Sequence, residues 1–216
     1  MEQQTISIFS IESEFLSQKI QQAQKDYQNK CVKISQLKKK YNRNLNENNN
    51  EYYNTYYEMM KCHFKLTELE MKRTFLFVKM IDAVVEACKN GGYTDIVKEG
   101  KTVKSNLKKV QNRLKFILKN LKIKLDSTGG VIKQYDKNQN VDMEDVQSFM
   151  QSAIFYNKLN EQLNIFDETQ TKFNIAKANE WQKTVWDRLE SHDLVMVKNE
   201  KGWQFISAQE IEQIIE

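Results

Sequence analysis

Catalysis and metal binding have few residues to draw on in this 216-residue chain, which contains two histidines and three cysteines. Cys62 and His63 are neighbours in a helical stretch, and adjacent residues on an α-helix point about 100° apart, so the pair cannot easily share a metal ion. His192-Asp193 falls at a predicted helix end, where a polar pair is an ordinary loop feature. The glycine pairs Gly91-Gly92 and Gly129-Gly130 lack the lysine, the preceding strand and the following helix of a phosphate loop. Carboxylates are numerous, but none stands in an apolar run that would raise its pKa for acid–base work. Neither an enzyme, a cofactor, a resident metal nor a small-molecule substrate is expected.

The sharpest chemical feature is a concentration of positive charge. Net charge is +4, yet Lys98–Asp126 holds ten basic residues against two acids, which leaves the rest of the chain mildly acidic. On a helical wheel Lys101, Lys104, Lys108, Lys115, Lys119 and Lys122 fall within about 60° of one another. Twenty-one residues at 1.5 Å each make this a ridge on the order of 30 Å long. Such a ridge fits an anionic partner, either a membrane surface or a nucleic acid. The plainer alternative is a solvated face whose charges are offset by acids such as Glu161, Asp167 and Glu168. Phe116 is the only aromatic residue within the basic segment, which weakens a single-strand nucleic-acid reading.

Aromatic residues cluster elsewhere. Tyr52, Tyr53, Tyr56 and Tyr57 pair at i, i+4 and suit the capping of a bundle end or a partner contact. Trp181, Trp186 and Trp203 all lie in the last 36 residues. Together with Phe205, Ile211, Ile214 and Ile215 they form a candidate partner interface, because Trp is common at interface hot spots. Alternatively, the tail folds back and these residues make a satellite core.

These residues need helices to position them. No proline interrupts the chain, which suits long helices. A first helix is expected over 11–45, with Ile20, Tyr27, Ile34 and Tyr41 in heptad register and Leu16, Ala23, Cys31 and Leu37 between them. An asparagine-rich turn follows at 42–50. A central helix is expected over 51–89, its seam at Tyr57, Phe64, Met71, Val78 and Val85, with Met60, Ile81 and Cys88 three residues after members of that series and Thr67 and Thr74 at inner positions. Phe64 and Val78 should be almost fully buried, whereas Thr67 and Thr74 weaken a strict coiled coil. Val103, Leu107, Val110, Leu114, Ile117, Leu121 and Leu125 define the third helix, with Gly100 a candidate kink and Ser127–Gly130 its end. A fourth helix is predicted over 142–189, with Phe173 and Ala176 on its inner stripe and a break near Asn179. Residues 194–197 and 203–206 read as a β-hairpin, and Ser207-Ala-Gln-Glu210 as a capping box opening a short helix.

The expected fold is thus all-α: an elongated, coiled-coil-like bundle of four long helices over 1–189, with a hairpin and short helix over 190–216 as a docking element. An odd cysteine count, no basic leader and no apolar run of membrane-spanning length suit a cytoplasmic or cytoskeletal setting. The leading functional expectation is a non-enzymatic structural or adaptor subunit that docks onto other protein subunits through helical faces and the Trp-bearing tail. The alternative is a peripheral binder of an anionic membrane or nucleic acid through the lysine ridge.

Overall fold

Few residues between Asn50 and Gly91 oppose helix formation, and this long amphipathic stretch becomes the central helix of an all-α bundle with a C-terminal β-hairpin. The computed structural model describes residues 6–40, 50–91, 93–136, 173–207 and 209–210. They comprise α1 (Ile6–Lys40), α2 (Asn50–Gly91), α3 (Thr94–Asp136), α4 (173–190), β1 (Leu194–Asn199) and β2 (Gly202–Ser207). Most of the asparagine-rich turn, the earlier part of the expected fourth helix and Ile211, Ile214 and Ile215 lie outside the described residues.

Several helix limits differ from expectation. The first helix begins at Ile6, because nothing in residues 6–10 breaks a helix. Tyr93 N–H donates to the Cys88 carbonyl at 3.0 Å, the six-residue closing bond of a Schellman-type end, so α2 stops where its glycines are. Ser127–Gly130, by contrast, does not end α3, which continues to Asp136. At Gly129 a β-carbon would lie 3.2 Å from the Tyr57 hydroxyl, so the missing side chain makes room for that ring and the helix carries on beneath it. Nor does α4 break at Asn179; it is continuous over 173–190.

The chain divides into two compact units, Met1–Ser17, Lys72–Asn112 and Thr169–Glu216 in one and Gln18–Met71 and Arg113–Glu168 in the other. In the first unit a single core joins Phe77, Met80, Ile81, Val84 and Cys88 of α2 to Ile96 and Leu107 of α3, to Trp181, Val185 and Leu189 of α4, and to Met196 and Trp203 of the hairpin. α3 runs antiparallel to both of its helical neighbours here: Asp82 of α2 pairs with Lys104, and Asp95 pairs with Arg188 of α4. The inner stripe of α4 is Asn174, Ile175, Ala178, Trp181, Val185 and Leu189, whereas Phe173 and Ala176 face outward. The expected stripe was one residue out of phase there.

The hairpin is locally encoded. Its strands pair antiparallel from Leu194↔Ser207 to Asn199↔Gly202, leaving a two-residue turn, and Gly202 has a φ of 97° that glycine adopts without strain. Two strands are marginal by themselves. Here Leu194, Met196, Trp203 and Phe205 share one face and pack on the first unit's core. Ser207 and Glu210 bond reciprocally at 2.9 and 3.2 Å, as a capping box requires.

In the second unit α1 lies antiparallel to α2. Lys33 meets Glu51 at 3.2 Å, while Tyr27 stacks on His63 with ring centroids 4.9 Å apart. Ile20, Ala23, Ile34 and Leu37 are buried as the heptads predicted, and so are Tyr52, Tyr53, Tyr56, Met59 and Met60. The tyrosines at the start of α2 therefore close the core of this unit.

Burial along α2 corrects two of the expected positions. The fully regular buried line is Tyr53, Met60, Thr67, Thr74, Ile81 and Cys88, the inner positions three residues on from the expected series, and Met71 and Val85 of that series are buried as well. Phe64 and Val78 are only half-buried. Both threonines sit in the seam, at 4% and 0% exposure. Thr67 tolerates this because its hydroxyl donates to the His63 carbonyl one turn back, at 2.8 Å, and presents its methyl group to the core.

Candidate interaction surface

The apolar stripe of α3 fixes which way its basic residues point. Leu107, Val110, Leu114, Ile117 and Leu121 are buried as their three-and-four spacing predicted, with Val103 and Leu125 half-buried at the ends. Rotated off that stripe, Lys101, Lys108, Lys115, Lys119 and Lys122 are exposed and make no ion pair among the described residues. Lys104 is the exception: it is half-buried and paired with Asp82. Lys101, Lys104 and Lys108 belong to the first unit and Lys115, Lys119 and Lys122 to the second. Glu161, Asp167 and Glu168, the expected neutralising acids, lie outside the described residues.

In the second unit two large apolar side chains stand in the middle of the outward face. Phe116 is 58% exposed and Ile123 54%. Seven residues, about two turns, separate them, so both point the same way about 10 Å apart along the axis. Lys115, Lys119 and Lys122 border them on one side and Arg113 stands on the other, at the N-terminal end. Residues 113–126 carry five basic side chains against one acid, Asp126. Sequence reasoning noted Phe116 only as an isolated aromatic and missed Ile123; the available signal was that both fall outside the three-and-four stripe, in an otherwise polar face.

Of the predicted tail interface, Trp181, Trp186, Trp203 and Phe205 are among the described residues, and none of these is exposed. Trp181 and Trp203 are buried in the first unit's core, and Trp186 and Phe205 are half-buried against it. Phe205 meets Tyr93 edge-on, with centroids 5.9 Å apart. The indole N–H groups of Trp181 and Trp186 are covered and make no hydrogen bond among the described residues. Backbone N–H of Trp203 reaches the Glu86 carboxylate at 3.3 Å.

The histidines and cysteines are similarly accounted for. Packing against Tyr27 and the helices around it pushes the His63 pKa down to about 4, keeping the imidazole neutral. Burial raises the Cys31 and Cys62 thiols above their ordinary value and pushes Cys88 up to about 11, opposite to what a nucleophile needs. A groove of about 130 Å³ beside Cys62 is lined by Ala23, Asp26, Lys61 and Lys65. His192 and Asp193 form the tight turn into the hairpin, their N–H groups donating to the carbonyls of Leu189 and Glu190, with Asp193 at a φ of 53°. Among the described residues no group of three or more His, Cys, Asp or Glu side chains is arranged to hold a metal ion. No described helix is long and apolar enough to cross a membrane.

No protein-family model, no curated protein and no solved structure matches the chain.

Proposed function

We propose that this chain is a non-enzymatic structural or adaptor subunit whose bundle presents the outward face of α3, within residues 113–126, as a docking surface. The observation that carries this reading is the exposure of Phe116 and Ile123 among lysines. Large apolar side chains aligned on one helix face are removed from water at a contact site, and apolar exposure of this kind marks interaction surfaces. Burial of Trp181 and Trp203 in the first unit's core moves the docking role away from those two residues. Cys31, Cys62 and Cys88 are all free thiols, which supports a cytoplasmic or cytoskeletal setting.

Site-specific photocrosslinking tests the surface. With the crosslinking side chain placed at Phe116 or Ile123 in the cells that express the protein, adducts should form there and not at Lys183, an exposed position on α4. Equal labelling at all three positions would remove the support for a contact surface on α3.

A further inference from the structure

The face formed by Phe116 and Ile123 with its lysine border matches one kind of partner better than others. A partner must satisfy two demands together: it must accept exposed apolar groups and also meet several ammonium groups spread along the same helix face. Lipid headgroups above acyl chains do both, because an apolar side chain enters the interface while flexible lysines reach the phosphates around it.

Competing partners satisfy one demand each. A nucleic-acid backbone takes up the lysines, but Ile123 has no stacking role there and Phe116 is the only aromatic on the face. A protein partner takes up the apolar groups, yet protein interfaces are enriched in Arg and depleted in Lys, and this face holds one Arg among its five basic residues. Asp126, at the C-terminal end, is the single opposing charge.

Resting on the docking surface proposed above, we infer that α3 attaches the chain peripherally to an anionic bilayer. Phe116 and Ile123 enter the headgroup region, and Lys115, Lys119 and Lys122 bind lipid phosphates and carboxylates. Attachment is interfacial and reversible, weakened by salt in proportion to the number of lysines engaged.

Co-sedimentation of the full-length protein with vesicles tests the inference. Vesicles of 30% phosphatidylserine in phosphatidylcholine should bind the protein in low salt, and vesicles of phosphatidylcholine alone should bind it far less. Raising the salt should release it. The triple variant Lys115→Gln, Lys119→Gln, Lys122→Gln should bind on the order of 100-fold more weakly. A double variant, Phe116→Ser with Ile123→Ser, should also lose affinity but keep the salt dependence of the residual binding. Both variants should retain the wild-type circular dichroism and melting temperature.

Failure to bind anionic vesicles would overturn the membrane inference. If duplex or single-stranded DNA were bound instead, and the lysine variant lost it, the docking surface would stand and only the lipid assignment would fall. A double variant that melts well below wild type would show that Phe116 and Ile123 are covered within the chain, and both readings would fall. Vesicle binding untouched by either variant would likewise reject α3 as the attachment site.

Discussion

Gly100 of α3 lies directly against Trp181 of α4: a β-carbon at Gly100 would come within 2.8 Å of the indole ring and 2.9 Å of Val85. The glycine is therefore a close-approach site between packed helices, where the sequence alone suggested a kink. It also explains how the Trp181 indole is accommodated in this core.

Gly100→Ala separates the two roles. Removing a glycine from a helix interior should stabilise by about 0.5–1 kcal/mol if only backbone freedom matters. Overpacking against Trp181 and Val85 costs about 1–3 kcal/mol, so the net effect should be destabilising. Thermal melts should show a lower midpoint, with an altered Trp fluorescence spectrum in the folded state. A raised midpoint would contradict the close packing.

Two positions of the α2 seam make an equally direct contrast. Ile81 has no exposed surface whereas Phe64 is half-buried. Ile81→Ala should cost about 2–5 kcal/mol through lost transfer energy and a residual cavity. Phe64→Ala should cost clearly less than Ile81→Ala although it removes more atoms. Denaturant melts of the two variants decide the order, and a larger loss at Phe64 would mean that Phe64 is as deeply buried as the sequence suggested.

His63 gives the fold a pH dependence of predictable sign. Its folded-state pKa is about 4, below the ordinary 6.5, so above pH 6.5 the residue is neutral in both states and contributes no dependence. As pH falls from about 6.5 toward 4 the unfolded chain binds a proton that the folded chain does not, and stability drops by up to about 1.4 kcal/mol per pH unit. His63→Gln should flatten that part of the profile relative to wild type, measured by denaturant melts at pH 7 and 5. Identical slopes in the two proteins would mean that the imidazole titrates normally in the fold.

Local chemistry was legible wherever one short stretch settles the outcome. The three-and-four stripe of α3, the heptads of α1, the glycine-marked end of α2, the Asn199–Gly202 turn and the Ser207–Glu210 capping box depend on neighbours within a few residues. Lys101, Lys108, Lys115, Lys119 and Lys122 of α3 could be assigned to outward positions for the same reason, since only the helical period is needed, whereas the pairing of Lys104 with Asp82 was not legible. Within α2 the seam was legible, but not which of its positions are buried most deeply. Over Phe75–Cys88 apolar residues occupy so many positions that several stripes are consistent with burial, and Thr67 looks polar until its hydroxyl is seen bonded along its own helix. Packing partners choose among those stripes: α3, α4 and the hairpin select Ile81, Val84 and Cys88 in one unit, and α1 with the tyrosine cluster selects Tyr56 and Met60 in the other. Tertiary structure likewise decided the fate of the glycines and tryptophans. Gly129 and Gly100 sit inside a helix because a ring from another helix lies against each, and Trp181 is buried because Gly100 leaves space for it. A sequence states the size and polarity of such a residue, but which surface it meets depends on how segments distant in the chain come together.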